Sequence, residues 1–363
     1  MSESIFDEIT KSISRYDSPE LGSLKPLPDM EVAVEMSARV NFGGVFTDIP
    51  PYCYENGGKV INAPVLLNGG YPLRARVKSI DKPGYLFRSI DAGRYCYIED
   101  LKQEGSVLEN EIFRLHKAIC KVCGISGGLS ITTESLLPYG SGLGTSSILA
   151  AAVIKGVYEL YSFEHEDDYI VNKVFVIEQL LGSRGGWQDQ CGGLYGGFKV
   201  CVSEPGLPQR IRIEPIAIDP AIQRELSGRL VILYSDTTRK SGNILMDIAR
   251  DYIDGDSRVH EAYSETVRVA DEMKTALSNG DLNNFGGLMS RQHELNKQLC
   301  SNHSTPEIDR IILDLKDISE GAMISGAGGG GYITLLLKKG IVRNERVALG
   351  LNRKPYNVVY ETV

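Results

Sequence analysis

A glycine-rich loop that runs into an apolar helix places the strongest constraint on this chain. The segment 136–147 reads LLPYGSGLGTSS and leads into the apolar run 148–154. Gly140, Gly142 and Gly144 allow positive φ, so several backbone N–H groups can point at one anion. The N-terminus of the following helix adds about half an elementary positive charge. The segment therefore predicts a phosphate-binding loop at the start of a buried helix.

The expected ligand is a di- or triphosphate, but two familiar phosphate motifs do not match. A Walker loop requires a lysine after its last glycine, and the dinucleotide fingerprint requires Gly-x-Gly-x-x-Gly. Here the glycines alternate and no lysine follows them. A glycine-rich turn that only lets a helix pack closely on a strand is the alternative. The hydroxyl residues that follow the glycines favour an anion site.

The pattern Pro-x-Gly-x-Gly-Leu-Gly-x-Ser-Ser resembles the phosphate loop of the GHMP kinases, a family of small-molecule kinases. Residues 38–51 and 326–332 resemble the first and third motifs of that family, in the expected order. With the segment GGWQDQ at 185–190, the chain is most similar to the kinase portion of L-fucokinases, over residues 32–337. The resemblance implies an α+β fold of two lobes with the active site in the cleft between them, ATP as co-substrate and Mg²⁺ as cofactor.

The resemblance assigns nucleotide binding to the loop and to one glycine of the third motif. These residues are Pro138, Gly140, Ser141, Gly142, Leu143, Gly144, Thr145, Ser146, Ser147 and Gly328. It also places the magnesium ligands at Ser146 and Glu178.

Glu178 also draws attention on physical grounds. In the helix predicted over 168–181, the apolar residues form one stripe, and Glu178 falls on that stripe. An unpaired buried carboxylate costs several kcal/mol, so a metal ion, an arginine or a bound proton must compensate it. Mg²⁺ suits this position with Ser146 as second ligand, and a structural salt bridge is the alternative.

The resemblance implies that Asp189 is the catalytic aspartate and that Arg39 keeps it ionised. An aspartate near the sugar hydroxyl can accept its proton as the oxygen attacks the γ-phosphoryl group. An opposite charge within several Å lowers the pKa of a carboxyl group. The sequence thus predicts an Arg39–Asp189 pair.

The predicted substrate site consists of Asp48, Thr47, Gly186, Trp187 and Arg239. Asp48 matches an aspartate that binds sugar hydroxyls in related kinases, and a carboxylate accepts two hydrogen bonds from a diol well. A helix N-cap or an Asx turn is the alternative for Asp48. For Trp187 two interpretations are open, namely stacking on a sugar ring and a position in the hydrophobic core. Arg239 follows a predicted strand end, where active-site loops often lie.

The first motif departs from the usual fucokinase pattern. Val45 and Phe46 stand where fucokinases have glycine and tryptophan, and we expect these changes to line the sugar site. Known fucokinases are also often longer chains. The resemblance implies phosphorylation of L-fucose to fucose 1-phosphate, with a heptose 7-phosphate kinase as first alternative and a catalytically inactive sugar and ATP sensor as second.

Length and composition agree with a two-lobed enzyme. The chain has 363 residues, 42% of them hydrophobic and 24% charged, too many for one ordinary core. We predict a helical extension over 1–30, a first lobe over 31–210 and a second lobe over 211–363. Apolar periodicity predicts helices over 5–15, 107–123, 146–161, 168–181, 241–253, 257–278, 281–299 and 306–317. A net charge of −8 argues against nucleic-acid partners and favours small molecules. The sequence leaves the oligomeric state open, including a homodimer.

The sequence predicts a cytoplasmic protein with no membrane partner. No apolar run reaches the roughly 18 residues of a membrane helix. Seven cysteines cannot all pair, so reduced thiols are expected. Cys120 and Cys123 have the spacing of half a zinc site, but no second ligand pair follows, so we expect buried thiols.

Overall fold

The computed structural model describes residues 20–101, 112–235, 241–341, 355–356 and 358–360. The helix predicted over 5–15 and the predicted substrate residue Arg239 lie outside these ranges. The predicted extension 1–30 is therefore described only from residue 20 onward.

The first lobe contains one five-stranded sheet. Its strands are β1 (Glu31–Met36), β4 (Leu73–Ser79), β5 (Tyr85–Ser89), β6 (Arg94–Ile98) and β7 (Leu129–Ser135). Their order is β1-β4-β7-β5-β6, and neighbours are antiparallel except β5 and β7. Buried and more exposed residues alternate along β4 and β7, as expected for a sheet with one covered face.

A second sheet carries the first motif. It contains β2 (Ala38–Gly43), β3 (Lys59–Leu67), β8 (Lys199–Ser203), β9 (Ile211–Pro215) and β14 (Val358–Tyr360). The order is β14-β3-β8-β9, with β2 also pairing with β3. Both β9 and β14 fall in the predicted second lobe, yet they pair with strands of the first. The sheet therefore contains strands from both sides of the boundary predicted at 210.

The helices of the first lobe place the phosphate loop against the core. They are α1 (Tyr52–Asn56), α2 (Arg114–Cys123), α3 (Thr145–Leu160), α4 (Asp167–Leu180) and α5 (Gln188–Leu194). Helix α3 is buried along most of its length and packs on β1, β4 and α5. At Gly156 a Cβ atom would lie 2.4 Å from Val77 Cγ2, so the glycine permits close approach to β4. The loop that precedes α3 is thereby fixed to a rigid helix.

The second lobe is a helical layer on a small sheet. Its helices are α6 (Pro220–Arg229), α7 (Ser241–Ile253), α8 (Ser257–Asn279), α9 (Leu282–Leu299) and α10 (Pro306–Asp314). Its strands are β10 (Leu230–Tyr234), β11 (Ser319–Ile324), β12 (Tyr332–Leu337) and β13 (Pro355–Tyr356), in the order β11-β12-β10-β13. Helices α8 and α9 pack together, and α9 covers β11.

Apolar contacts join the two lobes along β2. The ring centroids of Phe42 on β2 and Phe285 on α9 are 5.3 Å apart. Those of Tyr52 and Tyr263 are 4.0 Å apart and nearly parallel, at 10°. Aromatic pairs of this kind contribute about 0.5–1.5 kcal/mol beyond burial. Since β2 also carries Arg39, the interface between the lobes holds the first motif in place.

Several elements agree with the sequence-based expectations and several do not. The helices predicted over 146–161, 168–181, 257–278 and 281–299 form with small shifts at their ends. The helix predicted over 107–123 is described from residue 112 and begins at Arg114. The expectations did not include the strands β2, β5, β6, β13 and β14 or the helices α1, α5 and α6.

Candidate active site

The phosphate loop has the backbone conformation that its glycines predict. Gly140, Gly142 and Gly144 have φ of +73°, +74° and +81°. A Cβ atom at Gly142 would lie 2.4 Å from the Ser325 carbonyl oxygen, so a larger residue would displace the loop. The N-terminus of the 16-residue helix α3 has no side-chain cap. The N–H groups of its first turn therefore have no side-chain acceptor at the N-cap, as a phosphate-binding helix terminus requires.

Hydrogen bonds within the phosphate loop hold its conformation. Ser141 is buried, its Oγ accepts a hydrogen bond from the Leu143 N–H at 3.2 Å, and it lies 2.9 Å from Thr145 Oγ1. The carbonyl oxygen of the buried Leu143 accepts a hydrogen bond from the backbone N–H of Arg39 at 3.1 Å. Pro138 and Thr145 are partly exposed, whereas Ser146 is exposed. Of the three hydroxyl residues that follow the glycines, Thr145 and Ser146 are therefore accessible and Ser147 is buried.

Arg39 and Asp189 form the predicted pair across 150 residues of sequence. Arg39 Nε and Nη2 lie 2.8 and 2.5 Å from Asp189 Oδ1. The Arg39 side chain is 2% exposed and that of Asp189 is 28% exposed, so of the two groups only the carboxylate is accessible from outside. A Cβ atom at Gly144 would lie 3.1 Å from Arg39 Cγ and 3.3 Å from Asp189 Cβ. The ion pair therefore lies directly beside the phosphate loop.

Arg39 also ties neighbouring segments together. Its Nη1 donates to the Gly142 carbonyl at 2.6 Å and to Asn41 Oδ1 at 3.3 Å. Gly192 of α5 leaves room for the arginine, since a Cβ atom there would lie 2.5 Å from Arg39 Cβ. Sequence reasoning missed Asn41, although its position two residues along the same strand places it on the face of Arg39.

Glu178 is buried, as its place on the apolar stripe predicts, and the hydrogen bonds to its carboxylate come from two serine hydroxyls. Ser147 Oγ donates to Glu178 Oε1 at 2.7 Å, and Ser183 Oγ donates to Oε2. Ser146 points away to solvent, because its neighbour Ser147 occupies the buried side of the first turn of α3. Burial raises the pKa of Glu178, and the two hydroxyls oppose that rise.

The donor set around Glu178 fits a magnesium ion. A carboxylate and a hydroxyl beside a phosphate site are the oxygen ligands that Mg²⁺ accepts, with the remainder from water and phosphate. Within the described residues there is no cluster of three His, Cys, Asp or Glu side chains. Mg²⁺ does not require such a cluster, since one or two protein ligands suffice.

Asp48 lies at the N-terminus of α5 and not on an open surface. Its Oδ2 accepts from the Gln188 N–H at 3.0 Å and its Oδ1 lies 3.4 Å from Gln188 Nε2. Burial raises the pKa of Asp48 to about 7. Gly186 is required here, because a Cβ atom would lie 2.0 Å from Asp48 Oδ2. The Asp48 side chain therefore caps the N-terminus of α5 at Gln188, the residue that precedes Asp189.

Thr47 and Trp187 are both fully buried. Thr47 Oγ1 donates to the Gly44 carbonyl at 2.7 Å and accepts from the Lys59 N–H at 2.9 Å. Trp187 Nε1 donates to Gln209 Oε1 at 3.3 Å. A sugar cannot stack on a tryptophan enclosed in this way, so the predicted contact of Trp187 with substrate is not found, and the alternative of a core residue fits.

Val45 and Phe46 do not line a sugar site. Both are buried, at 0% and 1% exposure. The Phe46 ring meets the His303 ring edge-on at 5.7 Å. The departures from the fucokinase pattern are therefore accommodated in the core between the lobes.

The loop 326–331 supports the phosphate loop from the second lobe. The Tyr332 N–H donates to the Ser141 carbonyl at 3.0 Å, and the Gly326 N–H donates to Asn41 Oδ1 at 3.0 Å. Gly328, predicted to contact nucleotide, has φ of +87° and lies against His303, whose carbonyl oxygen is 2.3 Å from a Cβ built there. The structure thus gives Gly328 a packing role in the loop.

The remaining expectations concern cysteines and the membrane. All seven cysteines are described and none forms a disulfide. Cys120 and Cys123 are buried on α2. Of the helices in the described ranges, none has the length and apolar character needed to cross a membrane.

Comparisons with known proteins agree with the motifs. Residues 110–197 match the family model "GHMP kinases N terminal domain" and residues 273–349 match "GHMP kinases C terminal". A bifunctional fucokinase/GDP-fucose pyrophosphorylase of Arabidopsis thaliana is 35% identical over 84% of this chain, but the chain spans only 30% of that relative. A D-glycero-alpha-D-manno-heptose 7-phosphate kinase of Campylobacter jejuni is 29% identical over 83% of this chain and 88% of its own length. Among solved structures, Methanococcus jannaschii mevalonate kinase has a TM-score of 0.67 at 22% identity, over 92% of this chain and 98% of that chain, and so shares the fold.

Proposed function

The chain belongs to the GHMP kinase family, and from this premise we propose that it transfers the γ-phosphoryl group of ATP to the anomeric hydroxyl of L-fucose, giving fucose 1-phosphate. The observation that carries the transfer reaction is the Arg39–Asp189 pair, whose partly exposed carboxylate lies beside Gly144. A phosphate held at the N-terminus of α3 and a base next to it are the two parts that phosphoryl transfer requires.

Asp189 is the proposed general base. Its carboxylate accepts the proton of the sugar hydroxyl while that oxygen attacks the γ-phosphorus, and ADP leaves. Arg39 Nε and Nη2 both contact Oδ1, which leaves Oδ2 without a bond to Arg39 and makes it the proposed proton acceptor. Arg39 is buried and held by Gly142 and Asn41, which fixes the carboxylate at the loop.

Glu178 and Ser147 are the residues proposed to hold Mg²⁺, with Ser146 next to them at the mouth of the loop. When bound, the ion would neutralise negative charge on the phosphates of ATP. The N–H groups of the first turn of α3 would bind the same phosphates.

The choice of L-fucose depends on sequence similarity. The fucokinase relative is 35% identical and the heptose 7-phosphate kinase 29% identical. The heptose 7-phosphate kinase is the second candidate because the chain covers 88% of it. A heptose 7-phosphate needs an additional cation for its own phosphate, whereas Arg39 is already engaged with Asp189.

The proposal is tested by ADP release with Mg²⁺-ATP and a panel of L-fucose, D-arabinose, D-mannose, D-galactose and a heptose 7-phosphate. We expect turnover with L-fucose and a loss of about 10²–10⁴-fold in Asp189→Asn, because an amide cannot accept the proton. Turnover with the heptose phosphate alone would transfer the assignment to the second candidate. Sugar binding without turnover would indicate a sensor.

A further inference from the structure

A chain of buried polar side chains connects the first motif with the loop 326–331. The Gly44 N–H donates to Gln292 Oε1 at 3.0 Å, and Gln292 Nε2 donates to Asn296 Oδ1 at 2.7 Å. Asn296 Nδ2 lies 3.4 Å from His303 Nε2, and His303 Nδ1 lies 3.0 Å from the Ala327 carbonyl oxygen. The side chains of Gln292, Asn296 and His303 are all 0% exposed.

Every hydrogen bond in this chain has the same direction. A carbonyl can only accept, so His303 must carry a proton on Nδ1 to bond Ala327. Burial lowers the pKa of His303 to about 3, so its ring is neutral and Nε2 accepts from Asn296. The Asn296 and Gln292 amides then each donate with nitrogen and accept with oxygen, as their contacts require. No group in the series can reverse its role without breaking a bond.

The series closes into a ring on the catalytic strand. The Gly326 N–H donates to Asn41 Oδ1, and Asn41 lies on β2 between Arg39 and Gly44. The Gly329 N–H donates to the His303 carbonyl at 2.7 Å, which attaches the same loop a second time. The loop in turn supports the phosphate loop, through Tyr332 and the Ser141 carbonyl.

We propose that Gln292, Asn296 and His303 are positioning residues that couple the two substrate sites. They connect the loop at Gly44, which leads to Asp48, the capping partner of Gln188 beside Asp189, with the loop 326–331, which supports the phosphate loop. Binding of nucleotide at one end therefore stabilises the sugar-binding conformation at the other. This coupling presupposes the kinase function proposed above, whereas the mechanical link between the loops does not.

A purely structural role would have a different signature. Each of these side chains would then stabilise only its own neighbourhood, and removing one would leave the distant loop unchanged. Coupled residues act as one unit, so a double substitution adds little to either single one. The distinction lies in whether a change at Gln292 reaches the loop 326–331.

The first experiment measures hydrogen exchange by mass spectrometry on the full chain. Gln292→Met removes the bond to Gly44 and the bond to Asn296, and Asn296→Leu interrupts the series in the middle. As a matched control, Tyr85→Phe removes one buried hydrogen bond, from Tyr85 Oη to the Ile125 carbonyl at 2.7 Å, outside both loops. We expect faster exchange in both 43–49 and 326–331 for either variant, and in neither segment for the control. Faster exchange in 43–49 alone for Gln292→Met would overturn the link.

The second experiment measures the dissociation constant of L-fucose with and without a non-hydrolysable ATP analogue and Mg²⁺. We expect the analogue to tighten fucose binding about fivefold or more in the unmodified chain, the low end of coupling between sites. The ratio should fall toward one in Gln292→Met, in Asn296→Leu and in the double variant, and stay unchanged in Tyr85→Phe.

The two experiments separate the two proposals. A ratio unchanged in the variants, or absent from the unmodified chain, would refute the coupling. If the chain binds no sugar of the panel, the proposed function fails, and with it the coupling of substrates, while hydrogen exchange still decides the link between the loops. If Asn296→Leu does not fold, the milder Gln292→Met decides the outcome.

Discussion

Arg39 contacts Asp189 with two nitrogens, and both contacts fall on the single oxygen Oδ1, at 2.8 and 2.5 Å. This arrangement orients the carboxylate through one oxygen and leaves the other without a bond to the arginine. A guanidinium can do this because its donors form a rigid, planar fork. A base that must accept a proton while staying fixed in place benefits from this division of roles.

The hydrogen bonds of Arg39 predict that a positive charge alone at this position does not maintain kcat. Arg39→Lys keeps the positive charge but cannot span Asp189, Gly142 and Asn41 at once, so Asp189 loses its fixed orientation. We expect kcat to fall about tenfold or more, which is 1.4 kcal/mol in activation free energy. Steady-state kinetics with a thermal melt would check this. A kcat within about twofold of the original would show that the fork geometry is not needed.

The two adjacent serines of α3 offer a matched pair. Ser147→Ala leaves Glu178 Oε1 without its hydroxyl partner, whereas Ser146→Ala removes an exposed hydroxyl. A buried acceptor left unpaired costs about 1–3 kcal/mol, so Ser147→Ala should lower the melting temperature and Ser146→Ala should not.

The magnesium dependence of the same two variants identifies the ligand. We expect Ser147→Ala to raise the Mg²⁺ concentration required for half-maximal turnover, because the proposed site loses its hydroxyl ligand and Glu178 loses a hydrogen-bond partner. If Ser146→Ala raises this concentration instead, the exposed serine is the ligand, as the sequence resemblance implies. Titration of each variant with MgCl₂ at fixed ATP distinguishes the two.

Asp48 predicts a specific pH dependence of stability. Its pKa is about 7 in the folded protein against 3.8 in the unfolded chain, so folding favours the protonated form. Its contribution to the free energy of unfolding is fully present below about pH 4 and is lost as the pH rises through 7. The difference is on the order of 4 kcal/mol. Asp48→Asn cannot ionise and should remove this decline from the unfolding free energy. Denaturant unfolding between pH 4 and 8 tests it, and parallel profiles for the two proteins would contradict the assignment.

Local features of this site could be predicted from sequence. Alternate glycines require positive φ, and that is what Gly140, Gly142 and Gly144 show. The position of Glu178 on an apolar stripe predicted its burial without reference to any family. In both cases the physical reason lies within a few residues of chain, where periodicity and backbone sterics act.

Long-range contacts could not be derived in the same way. Asp48 and Gln188 are 140 residues apart, and no pattern in either segment indicates that they meet. Nor does the sequence distinguish Trp187 in the core from Trp187 on a sugar, since an aromatic residue suits both. The strands β5 and β6 were missed because several of their residues, including Tyr95 and Tyr97, are exposed and polar residues interrupt the apolar pattern.

Two neighbouring glycines of α9 predict opposite effects of the same substitution. At Gly286 a Cβ atom would lie 2.4 Å from Glu320 Cβ and 3.2 Å from the Gly321 nitrogen, whereas at Gly287 it would meet nothing within 4 Å. Gly286→Ala should therefore push α9 away from β11 and cost about 1–3 kcal/mol. Gly287→Ala should stabilise the exposed helix position by about 0.5–1 kcal/mol. Unfolding free energies of the two variants measured side by side test this, and a stabilisation shared by both would mean that helix propensity, and not contact with β11, governs Gly286. Because α9 also carries Gln292 and Asn296, we expect Gly286→Ala to accelerate hydrogen exchange in the loop 326–331 and Gly287→Ala to leave it unchanged.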